Sequence, residues 1–269
     1  MSQHLIATNP RERLIDREIS WLAFNERVLE LAEDQSNPLL ERCRYLAIFS
    51  SNLDDFFMIR VATLKRKLET GVTKKNTAGF SPVELMAEIS KKTEELISRQ
   101  TKCFHNDLMP TLAQNGIDIT DWESLDEVEK EYINKIFTKR IFPVLTPLAV
   151  DPSHPFPYIS GLSLNLAVLV KQPDTNEELF ARVKVPASLP RFIETAEFAS
   201  TRFIPLEKVI IANLHQLFPG MDIEDYYTFR ITRNADLELE EDESENLLES
   251  MEQELLRRKF GPPVRLEVA

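Results

Sequence analysis

Three places in this sequence hold residues whose types and spacing could do chemistry. The first is Ser50-Ser51-Asn52-Leu53-Asp54-Asp55, a polar stretch inside an otherwise apolar helical segment. Small polar side chains within a helix compete for backbone groups, so they mark a break, a cap or a contact. In one reading the stretch is a helix kink, with Ser51 or Asn52 capping the next turn. In the other, the Asn52 amide offers a donor and an acceptor together to the edge of a heterocycle such as adenine. Residue types alone leave both open.

The second place is the basic cluster Arg60, Lys65, Arg66 and Lys67, with Lys74 and Lys75 beyond it. Arg60 and Lys67 are seven apart and share one helix face. Such a cluster is either a solvated face beside a favourable helix C-terminus or a local patch that guides an anionic substrate. The third is His154, held in Asp151-Pro-Ser-His-Pro-Phe-Pro-Tyr158. An imidazole suits acid–base work near neutral pH, but no partner motif accompanies this one. A fixed connection whose aromatic rings pack is the plainer reading of the turn.

Other chemistries lack their signatures. The four histidines (His4, His105, His154, His215) are scattered, and the sequence contains no H-E-x-x-H, C-x-x-C, Walker A, G-x-G-x-x-G or G-x-S-x-G pattern. With only 6 glycines there is little material for a glycine-rich phosphate loop. Cys43 and Cys103 each fall in a helical pattern and read as reduced thiols. The net charge of −12 disfavours nucleic acid, because each phosphate contact wants a Lys or Arg. A polyanion site must therefore be a local basic patch or lie outside this chain. No run is long enough to span a membrane, and the polar N-terminus has no signal-peptide core.

The elements that must position these residues fall into two regions. In the first, Ser20 is expected to cap a helix with Trp21, Phe24, Val28 and Leu31 on its apolar face. Asn37-Pro38 should open a second helix with the stripe Leu39, Leu40, Cys43, Leu46 and Ala47, interrupted at residues 50–52 and resumed at Phe57, Val61, Leu64 and Leu68. Gly71 suits its C-terminus. Ser81 and Glu84 form a capping box for a third helix, carried by Leu85, Ile89, Leu96 and Cys103 to about Leu108. Three such helices with short loops suggest an antiparallel bundle over residues 1–110.

Residues 111–269 alternate between helix and strand, with the boundary expected between Pro110 and Trp122. Ser124 and Glu127 read as a capping box for a helix ending near Phe142-Pro143. Strand character follows at Val144–Val150, Leu164–Lys171, Leu179–Val185, Tyr226–Thr232 and Val264–Val268. Lys208–Phe218 and the charged Asp242–Lys259 read as helices. The fold class is α+β with a mixed sheet.

The motifs assembled here resemble a known family. IDREISWLAFNERVLELAEDQSNPLLERCRYLAIFSSNLDDFFMIRVATLKR is similar to the opening of bacterial polyphosphate kinase of the first type. DPSHPFPYISGLSLNLAV and FRITRNADLELEEDESENLLESMEQELLRRKFGPPVRLEV resemble its second, "head" domain. The resemblance implies an ATP:polyphosphate phosphotransferase that moves the γ-phosphate of ATP reversibly, with Mg²⁺ and through a phosphohistidine. It implies ATP, ADP and inorganic polyphosphate as partners, and a homodimer formed through the head domain. It also implies a cytoplasmic location, free or membrane-associated. The family's N-L-D-E-F motif places its adenine-contacting asparagine on Asn52; Asp55 stands where the family usually has Glu, and the charge is kept. None of the four histidines matches the family's catalytic ones, which belong to C-terminal domains. The chain is thus expected to be the N-terminal part of the enzyme and inactive alone. The alternative is a free-standing, non-catalytic binding or oligomerisation module.

Overall fold

The Asp16 carboxylate decides where the first long helix begins. It accepts hydrogen bonds from the backbone N–H groups of Glu18 (2.9 Å) and Ile19 (3.2 Å), capping α2, Arg17–Glu33, behind the single turn α1, Pro10–Arg13. The cap is therefore four residues earlier than Ser20, which lies inside the helix. In this computed structural model residues 9–150, 156–196, 201–235 and 261–269 are described. His154 and the helix expected over Asp242–Lys259 lie outside them. The chain divides into two compact units, Met1–Thr111 with Thr232–Val264, and Leu112–Ile231 with Arg265–Ala269.

In the first unit α2 buries Leu22, Asn25, Leu29 and Ala32. This corrects the face expected from periodicity: Phe24 is 58% exposed and Leu31 41%. The reason is Asn25, a polar residue in the middle of the buried stripe, which makes that stripe read as the weaker one. Helix α3, Leu39–Asp55, starts behind Pro38 without a side-chain cap, because the Asn37 amide instead donates to the Leu31 carbonyl (2.9 Å). Its buried face is Arg42, Leu46, Phe49, Leu53 and Asp54, while Leu40 is exposed. The helix does not break at Ser50–Asn52. Ser50 Oγ bonds back to the Leu46 carbonyl (3.1 Å), so its hydroxyl joins the ladder instead of ending it. The irregularity comes later, as a π-helical segment over Phe56–Val61 that leads into α4, Ala62–Glu69.

Helix α4 ends in a Schellman arrangement: Gly71 (φ 72°) donates to the Leu68 carbonyl (3.1 Å) and Val72 to that of Lys67 (2.9 Å). The Ser81–Glu84 capping box is present at the start of α5, Pro82–Lys102, which continues through a π segment into α6, Met109–Gln114. Leu85, Ile89, Leu96 and Cys103 are all buried, as their spacing predicts. Fully burying residues such as Leu22, Phe49 and Leu96 contributes about 2 kcal/mol each.

The second unit carries two sheets. Strand β1, Asp118–Ile119, runs parallel to β6, Arg202–Pro205, which pairs antiparallel with β5, Phe192–Glu194. The five-stranded sheet has the order β2-β4-β3-β7-β8, with β2 Leu148–Val150, β3 Leu164–Lys171, β4 Glu178–Lys184, β7 Asp222–Arg233 and β8 Pro263–Val268. Of the strand expected from Val144, only Leu148–Val150 pairs, because Pro143 sits in a 3₁₀ turn over Phe142–Val144. Leu166, Val168 and Val170 of β3 and Ala181 and Val183 of β4 share one face and pack with Ile133 and Phe137, and with Val209 and Ile210 of α8, Leu206–Ala212. The short α9, Leu214–Leu217, follows.

Helix α7, Glu127–Ile136, is capped by Asp126 with Glu129, two residues beyond the expected Ser124–Glu127 box, because Ser124 closes a 3₁₀ turn. Glu129 also receives both contacts of Arg202 Nη1 (2.7 Å each), and Arg202 Nε reaches Asp118 (3.0 Å). The start of α7 is thereby tied to the β1–β6 pair. The architecture is α+β, with an antiparallel helical bundle in the first unit and mixed pairing in the second. Among the described residues no helix is long and apolar enough to cross a membrane.

Candidate functional site

Helices α2 and α3 meet in a ladder of paired side chains. Trp21 stacks on Phe56, with ring centroids 4.7 Å apart and planes at 17°. One turn along, four residues on in α2 and four back in α3, Asn25 faces Asn52. The Asn25 amide nitrogen donates to the Phe49 carbonyl (3.1 Å), and Asn52 Nδ2 donates to Asn25 Oδ1 (3.0 Å). These bonds fix both amides in turn. A carbonyl only accepts, so Asn25 must show it its NH₂ and turn Oδ1 toward Asn52. Asn52 must then turn its own NH₂ toward Asn25, which leaves its Oδ1 outside that bond. Among the described residues that Oδ1 has no hydrogen-bond partner, and Asn52 is half-buried.

Asn25 is the residue sequence reasoning missed. It is completely buried, and its signal was available: a lone asparagine at the centre of the spacing Leu22, Leu29, Ala32. Buried polar side chains need partners, so an asparagine in a core stripe points to another polar residue opposite it.

Past the Trp21–Phe56 stack the bundle opens into a cavity of about 880 Å³. The start of α2, the π segment with α4, the loop after Gly71 and the start of α5 enclose it. Of the basic cluster, Arg60, Lys67, Lys74 and Lys75 line it, joined by Arg17. Lys65 is directed elsewhere, its Nζ 3.4 Å from the Pro263 carbonyl oxygen, and Arg66 is not part of the lining. Three acids line the same walls, Asp16, Glu18 and Asp55. Asp16 is spent on the helix cap and on Asn76 Nδ2 (2.7 Å), and Glu18 on Arg17 (2.7 Å) and Arg60 (3.9 Å).

The described histidines are apart from both features. His105 packs edge-on against Phe104 and borders a second cavity of about 390 Å³ with Cys43, Ser50 and Gln100, while His215 is in α9 of the other unit. Cys43 and Cys103 are free thiols, Cys103 buried, and burial pushes both thiols up from their ordinary pKa. Among the described residues no three His, Cys, Asp or Glu converge as a metal site.

Comparison with known proteins accounts for both units. Residues 14–120 match the family model of the polyphosphate kinase N-terminal domain, and residues 128–269 that of the polyphosphate kinase middle domain. The chain is 58% identical over 259 residues to the polyphosphate kinase of Streptomyces coelicolor, covering 96% of this chain and 34% of that protein. It is 52% identical over 272 residues to that of Mycobacterium tuberculosis H37Rv, covering 97% and 37%. The crystal structure of polyphosphate kinase from Porphyromonas gingivalis superposes with a TM-score of 0.73 at 32% identity, over 84% of this chain and 34% of that one. The chain thus spans about a third of the length of the curated relatives it matches. With two domain models matched in succession and more than half of each aligned sequence identical, this chain belongs to the polyphosphate kinase family.

Proposed function

We propose that this chain is the N-terminal part of an ATP:polyphosphate phosphotransferase, and that it supplies an adenine contact and a dimerisation surface. The reaction is reversible transfer of the γ-phosphate of ATP to inorganic polyphosphate through a phosphohistidine. The observation that carries the adenine contact is the fixed amide of Asn52. Its Oδ1 and its second N–H are both free of the bond to Asn25. That pair of groups complements the exocyclic amine and adjacent ring nitrogen of adenine, the match by which Asn reads adenine in other settings. Because Asn25 and Phe49 orient the amide before any nucleotide arrives, binding does not have to freeze it.

The remaining steps fall to groups that the described residues do not bring together. Neither His105 nor His215 adjoins the Asn52 amide or the basic cavity, and His4 and His154 lie outside the described residues. Covalent transfer needs its nucleophile, so this chain alone should not make polyphosphate. When bound, Mg²⁺ would neutralise charge on the transferring phosphates. Among the described residues no three His, Cys, Asp or Glu converge to hold it.

The dimer surface we assign to the outer face of the five-stranded sheet. Register places Leu148, Arg182, Ala167 and Tyr227 in one row across it and Val150, Phe180, Leu169 and Asp225 in the next. The exposed Leu148, Leu169 and Tyr227 make an apolar patch among these charged neighbours, the composition of a surface that a partner covers.

The test compares this chain alone with an enzyme of which it forms the N-terminal part, each incubated with ATP and Mg²⁺. Polymer and acid-labile protein phosphate should form only with the latter. Robust formation of either by this chain alone would refute the assignment of the nucleophile to other domains.

A further inference from the structure

We propose that the basic cavity at the end of the α2–α3 ladder is a binding site for an inorganic phosphate chain, separate from the Asn52 contact. Its charge is the first argument. Five cationic and three acidic side chains line it, in a chain whose net charge is −12. Glu18 is ion-paired with Arg17 and Arg60, and Lys75 with Glu84 (3.8 Å), while Asp16 accepts from the start of α2 and from Asn76. Lys67 and Lys74 are exposed, and among the described residues neither has a carboxylate partner. A site built only to satisfy its own charges would pair these lysines with some of the chain's abundant acids.

The second argument is how the cations are held. Arg60 comes from the π segment and Lys67 from the last turn of α4. Gly71, in the left-handed region at φ 72°, turns the chain so that Lys74 and Lys75 return to the same cavity. Asn76 then anchors that loop, donating to Asp16 (2.7 Å) and accepting from the Phe80 backbone N–H (3.0 Å). Four cations from three segments therefore converge on one space, Arg60 and Lys75 beside Glu18 and Glu84, and Lys67 and Lys74 without such a partner among the described residues. This spreads positive charge along a chain-like ligand.

The third argument separates the inorganic chain from the triphosphate of a nucleotide, which shares its phosphoanhydride chemistry. A nucleotide would want a ring to stack on. Of the aromatic residues that line the cavity, Trp21 and Phe56 stack on each other and Phe80 lies under the Arg11 guanidinium (4.3 Å). The identity of the anion as polyphosphate rests on the function proposed above; the charge of the cavity stands without it.

The experiment is calorimetric titration of the 269-residue chain with tripolyphosphate, with ATP as a second arm, in low salt and in salt of about 0.15 M, where the Debye length is about 8 Å. Tripolyphosphate should bind more tightly than ATP, and more weakly as salt rises. Lys67→Gln with Lys74→Gln should weaken it about tenfold or more, since each removes a charge-assisted contact. Lys65→Gln, on the same helix but outside the lining, should leave tripolyphosphate affinity unchanged. Lys74→Gln alone, in the loop, carries the test if the double variant melts early, with a loss of about threefold. No binding, tighter binding of ATP, an unaffected double variant or an equal loss in Lys65→Gln would each overturn the site. Because turnover is not measured, failure here leaves the phosphotransferase reading standing, and failure of that reading leaves this measurement intact.

Discussion

Asn25 and Asn52 are joined by one hydrogen bond of 3.0 Å, and its direction is set by a third group, the Phe49 carbonyl. The buried asparagine thus orients the half-buried one. Truncation should separate their roles. Asn52→Ala leaves Asn25 Oδ1 without a partner and should cost about 1 kcal/mol of stability. If Asn52 contacts adenine, the same change raises the Michaelis constant for ATP about fivefold in the whole enzyme. Asn25→Ala should cost more stability, about 2 kcal/mol, since it also strips the Phe49 carbonyl. It should raise the ATP constant less, because the Asn52 amide remains but can turn. Lower melting with an unchanged ATP constant in Asn52→Ala would remove the binding role.

Acid should weaken the start of α5 in a defined window. The Ser81 backbone N–H, then the Arg11 guanidinium, stabilise the ionised Glu84 carboxylate and hold its pKa at about 2. An unfolded glutamate titrates near about 4.3, so the folded value is depressed. The stabilisation is therefore fully present above that value and is lost as pH falls from about 4.3 toward 2. Glu84→Gln keeps an acceptor for Ser81 but removes the titration. Its melting temperature should fall less steeply with acid across this window than that of the parent chain. Parallel curves would mean that the capping box does not contribute to acid sensitivity.

Two glycines should respond to alanine for different reasons. Gly71 has a positive φ of 72°, and no atom lies within 4 Å of the place a Cβ would take, so Gly71→Ala carries only backbone strain, about 1 kcal/mol. At Gly261 a Cβ would sit 2.2 Å from the Asn234 carbonyl oxygen, a backbone atom that cannot rotate away. Gly261→Ala should cost about 1–3 kcal/mol through overpacking. Denaturant midpoints rank the two, and a larger loss at Gly71 would contradict the close approach of residues 261 and 234.

The sequence was most legible where local rules and packing agree. Ser81 and Glu84 announce α5, and Leu85, Ile89, Leu96 and Cys103 name its buried face, because no polar residue interrupts that stripe. Strand β3 reads directly as Leu164–Lys171 for the same reason. Legibility fails where a buried polar group carries the packing. Asn25 hid the true face of α2, and Ser50 looked like a breaker because its bond to Leu46 cannot be read from residue type. The site shows the same division. The family motif singled out Asn52, whereas its orienting partner 27 residues away depends on the register of two helices. The basic cluster was visible as charge, but the facing of α4 puts Lys67 in the cavity and Lys65 outside it, and the turn at Gly71 brings Lys74 back to it.

The outer face of the five-stranded sheet gives the last prediction. Leu148, Leu169 and Tyr227 are 38%, 39% and 44% exposed on one face of paired strands, while Leu166, Val168 and Val170 are buried on the other. Alternation normally gives an antiparallel sheet one apolar and one polar face. Here the outer face sets Leu148, Leu169 and Tyr227 beside Arg182 and Asp225, so an apolar patch with charged neighbours is available for a second copy. Phe156 stacked on Phe180, ring centroids 5.5 Å apart, widens the same patch. Sedimentation of the chain at micromolar concentration should show at least partial dimer. Leu169→Lys with Tyr227→Asp would put charge into that surface and should shift the equilibrium to monomer. Exposed positions tolerate such changes within about 0.5 kcal/mol, so melting of the monomer should barely move. A parent chain that stays monomeric would mean that association needs other domains. A double variant that dimerises as well as the parent would place the interface elsewhere.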